Sequence, residues 1–310
     1  MEKGKKVKGK KKKMEGSVAT IGMFDGVHRG HQFVLRRVVG MARQRGLQSL
    51  AVTFDHTLRS EPVLTPLAEK LALIKQTGID RVEVIPFTDA LRQMTAFQFM
   101  QQVLQRQLHV KLLLTGYDNR FGRNREEGFD DYVRYGRDLG IEVCCLPPAP
   151  LGEAGGQVSS SLIRSLLMSG AVAEASSALG YPYQFEGRVE HGEHIGTQLG
   201  FPTANLVPTS AQQLIPAKGV YAVWVDTGAD QPAVKGMMNV GMRPTFGQHD
   251  LTLEVHLLDY HGDLYGHRLT VSFVERLRGE QHFADAASLK AQLLKDREQA
   301  EQLLNSNNNQ

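Results

Sequence analysis

Cysteine and tryptophan are scarce in this chain, with two and one respectively among 310 residues. The cysteines are the neighbours Cys144 and Cys145. Adjacent strand residues point to opposite faces, and two thiols do not complete a zinc site. They read as strand residues in a reducing compartment rather than as a disulfide framework. Long apolar runs are also lacking. No stretch approaches the length needed to span a bilayer, and the N-terminus has no apolar signal-peptide core. The expectation is a soluble, cytoplasmic protein with no membrane partner. A net charge of either sign is nearly absent, at a formal +3. That excess is local, because residues 1–13 hold eight lysines and one acid. Residues 1–14 therefore read as a disordered basic tail, with contact to nucleic acid or anionic lipid as the alternative. Nucleic acid is not expected as a partner, and no internal repeat is apparent.

A chain this long suggests two domains. From 17 to 146 strand-like and helix-like segments alternate. The strands fall at 17–22, 49–54, 82–86, 111–115 and 141–146, and the helices at 32–45, 67–77, 90–108 and 127–139. In the third helix Leu91, Met94, Phe97, Met100, Val103, Leu104 and Leu108 keep helical spacing. This alternation predicts a parallel sheet covered by helices. A loop rich in Pro, Gly and Ala follows at 147–156, then short helices at 161–169 and 171–179. After Tyr181-Pro182-Tyr183 the pattern changes to strands at 185–190, 219–226, 235–240, 251–259 and 268–276, and a final helix at 284–304. That predicts an antiparallel barrel or sandwich. The fold class is α/β followed by β, with a boundary near 182 and domains at 15–182 and 183–306.

Several constellations carry chemistry. Ile21-Gly22-Met23-Phe24-Asp25-Gly26-Val27-His28-Arg29-Gly30-His31 follows the first strand, where ligands sit in such sheets. His28 and His31 share one side of a helical turn, where free N–H groups favour an anion. Gly30 lets a phosphate approach the backbone. Ser159-Ser160-Ser161 before an apolar run make a helix N-cap. Arg164, just inside that helix, is either part of an ordinary helix start or a phosphate clamp. Gly116-Tyr117-Asp118-Asn119-Arg120-Phe121-Gly122-Arg123 is either a ligand-facing loop or a polar turn. Further on, Gly187, Gly192 and Gly196 punctuate the approach to Leu199-Gly200-Phe201-Pro202-Thr203-Ala204-Asn205. There Thr203 and Asn205 offer two hard oxygens suited to Mg²⁺, or the stretch is simply a proline turn. His191 and His194 have helical metal spacing but read as solvent-facing. In Leu251–Leu257, alternation puts Glu254 and His256 on one face, either a wet sheet face or a carboxylate able to act as a base.

Taken together, Gly-x-Phe-Asp-Gly-x-His-x-Gly-His, Ser-Ser-Ser-x-Ile-Arg, Gly-Phe-Pro-Thr-Ala-Asn and the Glu254 strand occur in the order found in bacterial bifunctional riboflavin kinase/FAD synthetases. The chain resembles that family from about residue 15 to 304. The resemblance implies a Rossmann-like nucleotidyltransferase domain and a barrel riboflavin kinase domain with a terminal helix. It implies ATP, riboflavin and FMN as substrates and Mg²⁺ as cofactor. In the barrel, Glu254 matches the catalytic base, Thr203 and Asn205 the Mg²⁺ ligands, and Gly192 a phosphate-covering loop. Leu257, Asp259 and Tyr265 match the nucleotide side, and Arg278 and Phe283 the flavin side. In the N-terminal domain, Gly22, Phe24, Gly30 and Asp118 match ATP contacts. His28 and His31 match the stabilisers of phosphate charge, and Ser159, Ser160, Ser161 and Arg164 a second clamp. The sequence departs from the family in three places. Thr53-Phe54-Asp55-His56-Thr57-Leu58 lacks a His-Pro pair, glutamine stands at 198 and 281 where relatives can have lysine nearby, and the lysine tail has no family counterpart.

Overall fold

In the computed structural model, residues 16–55, 61–116, 119–147, 158–192, 196, 199–228, 232–242 and 251–306 are described. Contacts divide the chain into two units. Met1–Arg59 and Leu67–Gln157 form the first, and Ser60–Pro66 and Val158–Gln310 the second.

The first unit runs β1 (Ser17–Ile21), α1 (Arg29–Arg45), β2 (Gln48–Phe54), α2 (Leu67–Gln76), β3 (Arg81–Ile85), α3 (Asp89–Gln93), α4 (Ala96–Phe99), a π-helical segment (Met100–Gln107), β4 (Val110–Gly116), α5 (Phe129–Leu139) and β5 (Glu142–Leu146). The strands pair in parallel in the order β3-β2-β1-β4-β5. β1 is buried along its whole length, as expected where helices cover both faces. On one face Val18 and Leu112 pack with Leu35 and Val38 of α1. On the other, Ala19, Ile21 and Leu113 pack with Met100, Leu104 and Tyr132. The strand order reverses between β1 and β4, which opens a crevice at their carboxyl ends.

The single helix predicted over 90–108 is broken into three pieces. Met94 is extended (ψ 131°) and ends α3. Thr95 then caps α4: its hydroxyl accepts from the Gln98 N–H (3.2 Å), and the Gln98 side chain accepts from the Thr95 N–H (3.0 Å). This reciprocal cap satisfies two N–H groups locally and starts a new helix. Apolar spacing survives the break, so periodicity alone did not reveal it.

The second unit contains α6 (Ser160–Ser169), α7 (Val172–Leu179), β6 (Gln184–Glu190), β7 (Ala204–Pro208), β8 (Gly219–Asp226), β9 (Val234–Met242), β10 (Leu251–Leu257), β11 (Arg268–Arg278) and α8 (Ala286–Ser306). Six antiparallel strands close a barrel in the order β10-β7-β6-β11-β8-β9. Closure leaves no unpaired edge. β7 has no counterpart among the predicted strands, because Pro202 and Pro208 frame it as a turn; it joins β6 to β10 and completes the ring. Inward-facing Phe185, Leu206, Val223, Met238, Val255 and Val271 share one core with Ile163, Leu167, Val172 and Leu179 of α6 and α7. The boundary expected near 182 and the contact division after Gln157 thus bracket two helices that pack on the barrel.

α8 covers the barrel's outer wall. Its Ala300 and Leu304 pack with Phe201, Ala222, Met237 and Leu258, and the single tryptophan, Trp224, lies at this seam. An ion pair locks the helix: Arg278 Nη2 lies 2.9 Å from Asp296 Oδ2, with side chains 14% and 2% exposed. Gln292 also donates to Asp296, at 2.8 Å. Removing one member of a buried pair leaves the other charge uncompensated, at a cost of roughly 3–5 kcal/mol. Asp296→Ala should therefore lower barrel stability by about that much in urea unfolding followed by Trp224 fluorescence.

Candidate active sites

At the end of β1 the chain turns through Gly22–Val27 onto α1. Phe24 (φ 49°) and Val27 (φ 33°) hold left-handed backbone angles, which cost non-glycine residues about 1–3 kcal/mol each. Both side chains are buried in the core beside α1, which offsets the strain. The Phe24 ring lies against Gly22, where a Cβ would come within 3.0 Å. α1 begins at Arg29 rather than at Gln32, so His28 is its N-cap and Gly30 and His31 lie in its first turn. His28 Nδ1 accepts from the His31 N–H at 3.4 Å. The two imidazoles stack with centroids 3.6 Å apart at 20°, and the Phe24 ring meets His31 edge-on at 5.3 Å.

His31 Nδ1 is buried and has no partner among the described residues. Burial first, then the neighbouring His28 and Lys70, hold the His31 pKa well below its ordinary value. Lys70 is itself fully buried. Its ammonium donates to Phe54 O (2.9 Å) and Met23 O (3.3 Å), tying the end of β2 to the loop after β1. Across the crevice, Asn119 Nδ2 donates to Ile21 O at 2.5 Å. A helix N-terminus, an orphaned imidazole nitrogen and a buried ammonium combine here into a site for an anion. Asp118 and His56 lie outside the described residues.

Ser159 is the N-cap of α6, its hydroxyl accepting from the Leu162 N–H at 3.2 Å, and Ser160 and Ser161 open the first turn. Arg164 Nε donates to Pro62 O at 3.2 Å. These residues belong to the second unit.

The barrel unit carries the remaining motifs. Glu254 of β10 stands opposite Asn205 of β7 on one side and Asn239 of β9 on the other. Opposed residues in antiparallel strands share a face. Their inward neighbours Leu253 and Val255 are in the core, so this face is outside. The Thr203 hydroxyl donates to Glu254 Oε2 at 3.5 Å. The Thr203 hydroxyl and the Glu254 carboxylate thus meet with Asn205 on the facing strand, residues whose oxygens are hard donors of the kind that suit Mg²⁺ with phosphate oxygens completing its shell. A Cβ on Gly192 would fall 1.8 Å from Asn205 Nδ2, so only glycine admits the Asn205 side chain there. Leu257 faces the barrel core. Asp259 pairs with Arg297 at 2.7 Å. Tyr265 is exposed and stacks on His191 at 4.2 Å. The Arg278 guanidinium lies over the Phe283 ring at 5.6 Å. His194 and Gln198 lie outside the described residues.

Two residues with clear structural roles carry no motif. His256, on the outward face with Glu254, is buried rather than wet. Lys70 and Ile74, four apart, are the buried residues of α2; a lysine on an apolar helix face was the available signal.

Comparison with known proteins matches both parts of the chain. The riboflavin kinase family model matches residues 179–304, and the FAD synthetase model matches 10–162. The bifunctional riboflavin kinase/FMN adenylyltransferase of Escherichia coli K12 is 39% identical over 289 residues, covering 91% of each chain. That of Bacillus subtilis is 32% identical, covering 94% of this chain and 93% of its own. The chain belongs to the bifunctional riboflavin kinase/FMN adenylyltransferase family. A solved structure described as a macrolide-efflux protein from Streptococcus pneumoniae is 30% identical, with a TM-score of 0.83 over 93% of this chain and 94% of its own. Among the described residues no helix is long and apolar enough to cross a membrane.

For this member of the family the geometry makes two predictions. Gly192→Ala should displace the Asn205 amide and cut FMN formation at least tenfold, while conversion of supplied FMN to FAD is unchanged; a flavin chromatogram reads both. An imidazole with a depressed folded pKa takes up its proton first in the unfolded chain. The His31 contribution to stability is therefore complete above about 6.5 and is lost as pH falls through the lowered folded value. In urea titrations followed by circular dichroism, the native protein should lose more stability between pH 7.5 and 5.5 than His31→Gln does.

Proposed function

We infer that the chain makes FAD in two ATP-dependent steps, riboflavin to FMN and then FMN to FAD, and that each step has its own constellation. The supporting observation is that Glu254, Thr203 and Asn205 converge in the barrel unit, while His28 and His31 stack at a helix start in the other unit.

In the kinase step the riboflavin 5′-hydroxyl attacks the γ-phosphorus of ATP, and ADP leaves. Glu254 accepts the hydroxyl proton as the new O–P bond forms. Thr203 and Asn205 would hold Mg²⁺, which neutralises charge on the triphosphate when bound. Gly192 keeps the covering loop close to Asn205, and Arg278 with Phe283 lines the flavin side. Leu257, Asp259 and Tyr265 lie toward the nucleotide. In the adenylyl step an FMN phosphate oxygen attacks the α-phosphorus of a second ATP and pyrophosphate leaves. The nucleophile is already anionic, so no general base is required. His28 and His31 stabilise the charge developing on the phosphates, with Gly22, Phe24 and Gly30 shaping the loop that receives them. Arg164 and the serines before it are assigned to this step by motif alone. All three substrates, ATP, riboflavin and FMN, are small molecules, in keeping with action in the cytoplasm.

Glu254→Ala should abolish FMN formation yet still convert added FMN to FAD. His28→Ala combined with His31→Ala should do the reverse. Loss of both activities in either folded variant would contradict the division of labour. FMN without FAD from the native protein would indicate that the barrel alone is active.

A further inference from the structure

The turn bearing Thr203 and Asn205 is tied to β10 by a side chain that no motif assigns. His256 Nδ1 lies 2.7 Å from the Pro202 carbonyl oxygen. A carbonyl only accepts, so Nδ1 carries the proton and donates. The ring is 8% exposed and meets Phe201 edge-on, 5.2 Å between centroids. The place of this bond follows from register. The β10–β7 ladder pairs Glu254 with Asn205 and Val255 with Ala204, and stops there. Proline has no N–H with which to continue a ladder. The His256 side chain supplies a donor where backbone pairing ends. The Pro202 oxygen and the Thr203 nitrogen belong to one planar peptide group, so fixing that oxygen fixes the plane from which Thr203 projects. Residues two apart on a strand share a face, so one strand carries both Glu254 and the anchor of the turn opposite it. From the other side, the Phe201 N–H donates to Gly196 O at 2.8 Å.

We propose that His256 is a positioning residue for riboflavin phosphorylation, holding the Pro202–Thr203 peptide so that Thr203 and Asn205 face Glu254 in one arrangement. This rests on the assignment of Thr203, Asn205 and Glu254 to the kinase site. Burial holds the imidazole pKa below its ordinary value, which keeps the ring neutral near pH 7 with its Nδ1 proton in place.

The test compares His256→Leu, which keeps bulk and loses the donor, with His256→Asn, whose amide keeps a donor near the Nδ1 position. The expected result for the leucine variant is at least a tenfold rise in KM for Mg–ATP in FMN formation, an unchanged KM for riboflavin, and unchanged conversion of supplied FMN to FAD. The asparagine variant should recover most of the loss. A folded leucine variant, judged by its Trp224 melting curve, with native Mg–ATP dependence would overturn the proposal. So would leucine and asparagine variants that fall equally, since packing alone would then explain both. If the leucine variant does not fold, His256→Gln replaces it: the longer side chain misplaces the donor, so glutamine should raise KM for Mg–ATP and asparagine should not, and equal behaviour overturns the proposal. Glu254→Gln and Thr203→Val run in parallel. FMN formation surviving both would show that the site assignment itself fails, whatever His256 does.

Discussion

Strand register in the closed barrel is the constraint on which the proposed kinase site depends. Glu254 stands opposite Asn205 and Asn239 at once, because β10 is paired on both sides. A slip of one residue would turn every side chain of β10 to the other face. Glu254 would then enter a core filled by Val223, Met238 and Val271, and burying an unpaired carboxylate there costs several kcal/mol. Leu253 and Val255 would move out of that core. Two ladders would have to break together. The hydrophobic pattern of one strand, needed for folding, therefore also fixes where the carboxylate meets the Thr203 hydroxyl and the Asn205 amide.

On the proposed assignment the two units favour phosphate by different physics. In the parallel-sheet unit the attraction comes from the start of α1, from stacked His28 and His31, and from the buried Lys70 ammonium. Left-handed Phe24 and Val27 show that the loop is held there by buried contacts rather than by its own preference. In the barrel, neutral oxygens and one carboxylate converge on the outer wall, an arrangement suited to a hard cation between protein and phosphates. α8 packs on that same outer wall, against Phe201, Ala222, Met237 and Leu258, and the Arg278–Asp296 pair carries its order to the residue assigned to the flavin side.

Much of this was legible in the sequence because it is local. Alternating segments predicted the parallel sheet, and the i, i+3 histidines predicted a shared helical side that the structure realises as a stack. Local spacing was silent on what depends on distant partners. β7 read as a proline turn because its strand character comes from β6 and β10 on either side. The Thr203–Glu254 contact joins residues far apart in sequence, so alternation gave the face of Glu254 but not its neighbours. The break at Met94–Thr95 was local but masked by unbroken apolar spacing. His256 looked like a wet-face residue because nothing in the β10 pattern announces that Leu258, Met237 and α8 cover that side. Helices α6 and α7 read as the end of the first domain, yet their apolar faces complete the barrel core.

Counting nucleotides on the intact chain tests the central claim most directly. Calorimetric titration with a non-hydrolysable ATP analogue and Mg²⁺ should give two sites per chain. One should disappear in a variant altered at Thr203 and Asn205, and the other in a variant altered at His28 and His31. A single site in the native protein, or loss of both sites from either variant while it remains folded, would contradict two independent phosphate-binding constellations.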